Sequence, residues 1–275
     1  MPYAARRLER RAGMMRAKRE LRSVKSVLIT GAARRIGAEI ATQLASRGWH
    51  VVIHYHHGKA PAEALRDAIA TAGGTASLVQ GDLASPEACR SILAQALALA
   101  PQLEALVNNA ATFDYDDLAG TSAEALERNF RINTVAPILL ARAFAAALPD
   151  GRQGAVVNLL DNKVFAPNPD YFSYTVSKCA LHGATQMLAI ALAPRVRVAG
   201  VAPGITLISG KQSEDSFARG HAMNPLGRGC TPDQIARAVE FILTTPSLTG
   251  QIITIDGGES LAPHGRDVAF LGAPV

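Results

Sequence analysis

Seven short, continuous apolar runs punctuate the chain: Val27–Thr30, Val51–His54, Ala76–Val79, Ala105–Asn108, Ala155–Leu160, Val196–Val201 and Ile252–Ile255. Between them lie Ala- and Leu-rich stretches of helical length, near 36–47, 61–72, 86–99, 123–147, 172–193 and 232–245. A strand with one wet face alternates apolar and polar residues, whereas these runs do not, so both faces of their sheet are expected to be covered. Strands that alternate with helices predict parallel pairing, and right-handed crossovers then wind the helices onto both faces. The expected fold is α/β, a doubly wound sheet of seven parallel strands. No repeat and no Pro-, Gly- or Ser-rich linker divides residues 26–275, which read as one domain. The stretch 204–230 breaks the rhythm. It is polar, contains glycine and follows the sixth strand, as expected of a substrate loop at the carboxyl end of the sheet.

Charge changes this picture at one end only. The chain has 275 residues and a formal net charge of +5. Residues 1–25 hold nine Lys or Arg against two Glu, which leaves residues 26–275 at −2. The basic excess therefore belongs to an N-terminal extension, expected to be disordered, and the folded body lacks the positive surplus of a nucleic-acid binder. That extension has no apolar core of a secretory signal. No uninterrupted apolar run reaches the roughly 20 residues of a membrane span. Cys89, Cys179 and Cys230 lie far apart without metal-ligand spacing, which fits a reducing compartment. A cytoplasmic protein with no metal, membrane or nucleic-acid partner is expected.

The first strand runs into Thr30-Gly31-Ala32-Ala33-Arg34-Arg35-Ile36-Gly37 and then a helix. Gly31 permits a tight turn and Gly37 close packing of helix on strand. The helix N-terminus supplies N–H groups and a positive dipole for a pyrophosphate. A glycine pair before a helix is a weak signal alone, but its place between the first strand and first helix of a βαβ series strengthens it. The end of the second strand selects the cofactor. An NAD site wants a carboxylate there for the ribose 2′-hydroxyl. This chain has His54-Tyr55-His56-His57-Gly58-Lys59, and its first acid is Glu63. Together with Arg34 these residues favour a 2′-phosphate, hence NADPH. A histidine metal site is disfavoured, because no Cys or carboxylate completes a ligand set. Asp82, beside Leu83 after the third strand, is placed either to accept from an adenine amino group or to form a turn.

Tyr174 and Lys178, four residues apart, share one face of the helix after the fifth strand. A phenol with an ordinary pKa near 10 is a poor acid–base group at neutral pH, and a neighbouring ammonium brings it into range. With Thr30-Gly31…Gly37, Asn108-Asn109-Ala110, Asn133, Pro203-Gly204 and Asp256-Gly257-Gly258 in order, the chain resembles the short-chain dehydrogenase/reductases over about residues 25–260. The resemblance implies a Rossmann-fold reductase with Tyr174 as proton donor. Lys178 would hold the nicotinamide ribose and lower the Tyr174 pKa, and Asn133 would support a water relay. Asn109 and Ala110 would line the cofactor, and Pro203-Gly204-Ile205 would back the nicotinamide. It also implies a homotetramer built by pairing the helices near 123–147 and 172–193.

One departure narrows the chemistry. The family usually has serine thirteen positions before the tyrosine, and here that position is Asp161. A serine polarises a ketone, whereas an ionised carboxylate repels a developing oxyanion. A carboxyl group suits protonation of nitrogen during reduction of a C=N bond. Asp161, Arg35 in the glycine loop, Phe113, the His-Tyr-His stretch 54–56 and Tyr171 resemble the pteridine and dihydromonapterin or dihydrofolate reductase branch. The resemblance implies reduction of a dihydropterin, with Phe113 stacking on the ring, Arg35 meeting its oxygen, and Asp161 and Tyr174 handling the proton. Two other readings remain: a short-chain carbonyl reductase acting on 3-oxoacyl thioesters or sugars, and a non-catalytic NADP(H)-binding module whose basic tail docks RNA, DNA or an acidic partner.

Overall fold

A computed structural model describes residues 25–208 and 213–271. The basic extension up to residue 24 therefore lies outside the described residues, with Lys25 at their edge. Seven strands, β1 (Ser26–Ile29), β2 (His50–Tyr55), β3 (Thr75–Gln80), β4 (Leu103–Asn108), β5 (Gly154–Leu159), β6 (Val196–Pro203) and β7 (Ile252–Ile255), form one parallel sheet. Their order is β3-β2-β1-β4-β5-β6-β7. The chain reverses its winding between β1 and β4, and that switch opens a crevice at the strands' carboxyl ends.

The continuous apolar runs are explained by two separate cores. Val27 and Ile29 face α1 (Arg35–Ser46) and α8 (Pro232–Thr244), where Ile40, Leu44, Ile235 and Val239 are fully buried. Leu28, between them, faces α3 (Pro86–Leu99) and the later helix α5 (Ala136–Ala147), meeting Ile92, Leu140 and Phe144. The remaining long helices are α2 (Lys59–Thr71), α4 (Ala123–Phe130) and α6 (Phe172–Leu192).

Two elements differ from the sequence expectation. The stretch 123–147 is not one regular helix, because a π-helical turn, Arg131–Val135, separates α4 from α5. Pro137 has no N–H to give the carbonyl of Asn133, four residues back, and its ring crowds that carbonyl. The backbone widens at that point into a wider turn. Within 204–230, a short helix, α7 (Glu214–Ala222), replaces a continuous loop. Ser213 caps it by accepting from the Ser216 amide at 3.2 Å, and Glu214 and Asp215 sit in its first turn. Its polar composition had masked its helical character.

A buried polar ladder fixes the register of α6 on the sheet. Asn108 Nδ2 donates to Asn158 Oδ1 at 2.8 Å, and Asn158 Nδ2 donates to Thr185 Oγ1 at 2.9 Å. Thr185 in turn donates to the Leu181 carbonyl at 2.7 Å. Since α6 carries Tyr174 and Lys178, this ladder sets where those side chains emerge. Asn158→Ala strands a donor on β4 and an acceptor on α6 in an apolar layer. It is expected to cost about 1–3 kcal/mol, read as a lowered urea midpoint with an unchanged m-value.

Candidate active site

The end of β5 assembles the chemical corner. Asp161 leaves the strand and caps the 3₁₀ turn Asn162–Val164, its Oδ1 accepting from the Lys163 amide at 2.9 Å. Its other oxygen accepts from the Tyr174 hydroxyl at 2.8 Å. One turn along α6, Lys178 donates from Nζ to the Leu159 carbonyl at 2.6 Å. Tyr174 and Lys178 are both buried, and Asp161 opens on the same cleft.

Burial dominates the acid–base behaviour of all three groups. It pushes the Asp161 carboxyl above its ordinary range, against the opposing pull of the Lys163 amide. It brings the Lys178 ammonium down to about 8, while the Asp161 charge works to raise it. Burial and the adjacent Asp161 push the Tyr174 phenol well above 10. The depression of Tyr174 by Lys178 implied by the resemblance is therefore not what these surroundings produce. Lys178 aims its short hydrogen bond at a backbone carbonyl, and the closer Asp161 carboxyl favours the protonated phenol.

Asn133 does not line this corner. Its side chain accepts from the Thr112 amide at 2.9 Å and donates to the Thr112 carbonyl at 3.1 Å and to Ser177 Oγ at 2.9 Å. It ties the loop after β4 to α6, and its backbone carbonyl lies at the π-helical turn that Pro137 imposes.

The glycine turn is built from beneath. Gly31 adopts φ +61°, and a Cβ there would sit 2.9 Å from Ala110 Cα. A Cβ on Gly37 would meet the Gly31 carbonyl at 2.7 Å and Asn109 Nδ2 at 2.5 Å, so helix and turn touch as the motif requires. Asn109 Nδ2 clasps the carbonyls of Thr30 and Gly31 at 2.9 and 3.1 Å. His54 is buried, accepts the Gly31 amide on Nδ1 at 3.2 Å and faces the Gly81 carbonyl through Nε2 at 3.1 Å. Burial lowers its pKa to about 4, which keeps the ring neutral beneath the turn.

The cradle fits a dinucleotide. No side chain caps the N-terminus of α1, and no acid lies in its first turn, so its amides face the crevice open to an anion. Arg34 passes beside Gly58 at the end of β2. His56 and His57 are exposed there, with ring centroids 3.5 Å apart. Tyr55 and Leu83 are buried in the core and stand behind the site. Asp82 accepts from the Ala84 amide at 2.9 Å, a turn-forming role, and lies 3.9 Å from His56.

Arg35, Ile36, Asn109, Ala110, Phe113 and Tyr171 line a cleft of about 530 Å³ with Asp161, Tyr174, Lys178 and the turn Pro203-Gly204-Ile205. Arg35 holds φ +56° and donates from Nη1 to the Ile208 carbonyl at 2.9 Å, joining the glycine turn to the loop after β6. Phe113 stacks on Tyr171 (centroids 4.2 Å, planes 11° apart) and meets Tyr174 edge-on at 4.6 Å. Sequence reasoning missed Glu259, Asp267, Val268 and Ala269, which also line the cleft. Glu259 directly follows the Asp256-Gly257-Gly258 motif, which offered a local signal. Burial raises its pKa, and its Oε2 accepts from the Ile205 amide at 3.4 Å. The other three come from a segment whose return to the cleft has no local signature. Among the described residues, no group of three or more His, Cys, Asp or Glu is arranged for a metal ion.

Comparison with known proteins places this geometry. The profile of the family described as Enoyl-(Acyl carrier protein) reductase matches residues 31–260. An oxidoreductase of Methylorubrum extorquens is 33% identical over 245 residues, covering 85% of this chain and 97% of the relative. The solved FolM alternative dihydrofolate reductase 1 of Brucella suis in complex with NADP superposes with a TM-score of 0.85 at 40% identity, covering 88% and 97% of the two chains. The Brucella canis protein of the same description, complexed with NADP, gives 0.81 at 39% identity, covering 87% and 96%.

The Asp161 charge raises the Lys178 pKa, so removing it should lower that pKa further. Titration of the Lys178 ammonium by NMR is expected to show a midpoint near 8, moving to lower pH in Asp161→Asn. An unmoved midpoint would mean that the two groups are not electrostatically coupled.

Proposed function

The chain belongs to the short-chain dehydrogenase/reductase family, and we propose that within it this protein is a dihydropterin reductase. It is an NADPH-dependent reductase. The Gly31–Gly37 turn would hold the dinucleotide, with Arg34, His56 and His57 for its 2′-phosphate and Pro203-Gly204-Ile205 for its nicotinamide. When bound, the dinucleotide supplies the hydride.

The observation that carries the substrate reading is the hydrogen bond between Asp161 and the Tyr174 hydroxyl, at a position where a ketone reductase would present serine. A carboxyl held above its ordinary range keeps a proton to give, and a C=N bond taking hydride on carbon needs that proton on nitrogen. Tyr174 relays between Asp161 and the substrate, and Lys178 would hold the nicotinamide ribose. The balance is one hydride and one proton per double bond, giving a tetrahydropterin and NADP⁺. Tyr171 covers one face of Phe113, whose remaining exposed surface meets the flat ring in the cleft. Dihydromonapterin, dihydrobiopterin and dihydrofolate all present the required C=N bond. The solved relatives named as alternative dihydrofolate reductases support this branch.

We read residues 26–275 as the reductase domain, cytoplasmic and assembled as a homotetramer. The exposed Val176, Met187 and Ile190 on α6 and Phe130 at the end of α4 support pairing of those helices between copies.

Steady-state NADPH oxidation tests the reading. With a dihydropterin, Asp161→Ser is expected to lower kcat/KM by about 10²–10⁴-fold, the usual size of a lost general-acid contribution. A carbonyl reductase would instead turn over ketones or 3-oxoacyl thioesters and gain activity from the same substitution.

A further inference from the structure

The segment after β7 returns across the cleft and is fastened there by charge. Asp170, 1% exposed, receives Arg266 through two bonds of 2.7 Å, from Nε to Oδ2 and from Nη2 to Oδ1. The Asp267 amide adds a third bond to Asp170 Oδ2 at 2.7 Å. Asp267 itself pairs with the buried Lys163 at 2.8 Å, and Lys163 also donates to Asn168 Oδ1 at 2.7 Å. Bidentate arginine–carboxylate pairs with a buried partner fix geometry as well as adding energy. Beside the clamp, Phe270 packs on Tyr115 (5.0 Å) and approaches Tyr171 (6.3 Å), while Arg266 lies over Phe270.

The residue after Asp170 is Tyr171, at φ +55°, ψ +51°, a left-handed conformation disfavoured for an aromatic residue. Such a conformation persists only where its surroundings over-determine it. Tyr171 is the ring that backs Phe113, and the chain around Phe113 is tied to the same point. The Phe172 amide donates to the Asp116 carbonyl at 3.1 Å, and the Ser173 amide to Asp116 Oδ1 at 3.0 Å.

We propose that Arg266 and Asp170 are positioning residues for the substrate: by clamping the C-terminal segment to the start of α6, they hold Tyr171 behind Phe113 and so set the width of the slot for the substrate ring. Val268 and Ala269, carried on the clamped segment, line the same cleft. The inference rests on the flat-ring substrate proposed above. It adds that the selection of that ring is governed from a salt bridge outside the stack.

Arg266 is half exposed, but its partner Asp170 is buried, so the variant's urea midpoint is measured alongside its kinetics, and Asp170 keeps the Asp267 amide as a donor when the guanidinium is removed. Arg266→Ala is expected to raise KM for a dihydropterin about tenfold, with kcat and the dissociation constant for NADPH within about twofold of the parent. Arg266→Lys, which keeps one bond of the pair, should fall between. In a Tyr171→Ala background the same change should add less than about twofold, because the clamp acts through that ring. Full additivity, or an equal loss of NADPH affinity, would overturn the proposal. Hydrogen exchange supplies an arm that needs no substrate. Arg266→Ala should speed exchange at 170–173 and also at 113–117, and acceleration confined to 266–271 would refute the clamp. If the parent enzyme reduces no pterin, the substrate reading falls while this exchange arm still decides the clamp.

Discussion

Three ionisable groups share one dry corner, and the rest of the molecule is arranged around that constraint. Asp161, Tyr174 and Lys178 converge where β5 ends and α6 begins, with Tyr174 and Lys178 buried and Asp161 partly so at the edge of the cleft. An ion taken out of water changes its protonation state or finds a partner. Here the phenol keeps its proton, the carboxyl is driven to hold one longer, and the ammonium loosens its own to about 8. Burial thus favours the neutral form of each group, while the Tyr174 hydroxyl and the Lys163 amide donate to the Asp161 carboxyl and the Leu159 carbonyl receives the Lys178 ammonium.

Holding that corner requires α6 to sit at one height on the sheet. The Asn108–Asn158–Thr185 ladder supplies the register from within, and Asn133 supplies it from the loop side through Ser177 and Thr112. The neutral His54 under the glycine turn plays the matching part at the cofactor end. These buried polar contacts are side-chain bonds between elements distant in sequence. They explain why polar residues stand in layers that are otherwise apolar.

The sequence pattern disclosed the sheet because both faces of its central strands are buried, which leaves runs dominated by apolar residues. It disclosed Tyr174, Lys178 and the glycine turn because helical spacing and turn chemistry are local. Asp161 was legible as a departure from an expected serine. What stayed hidden was long-range. Nothing local tells that His54 bonds the Gly31 amide, that Pro137 opens a π-helical turn at Asn133, or that Arg266 crosses 96 positions to reach Asp170. Seven positions expected at the site do not line the cleft itself: Asn133, His54, Tyr55, His56, His57, Asp82 and Leu83. His54 and Tyr55, adjacent at the end of β2, point to opposite faces of a sheet covered on both and are both buried, and Leu83, past the end of β3, packs into the core on the other side from Tyr55.

Burial makes Asp161 a carboxyl that retains its proton beyond the usual range, against the opposing hydrogen bonds of the Lys163 amide and the Tyr174 hydroxyl. Isotope-edited infrared spectroscopy of ¹³C-aspartate-labelled protein, with Asp161→Asn as the subtraction, measures this directly. A protonated-carboxyl band, absent from the variant, is expected to persist above the ordinary aspartate value of 3.8. A band that titrates away at or below that value would show an ordinary carboxylate facing the substrate, and would contradict the proton-donating role on which the proposed reaction depends.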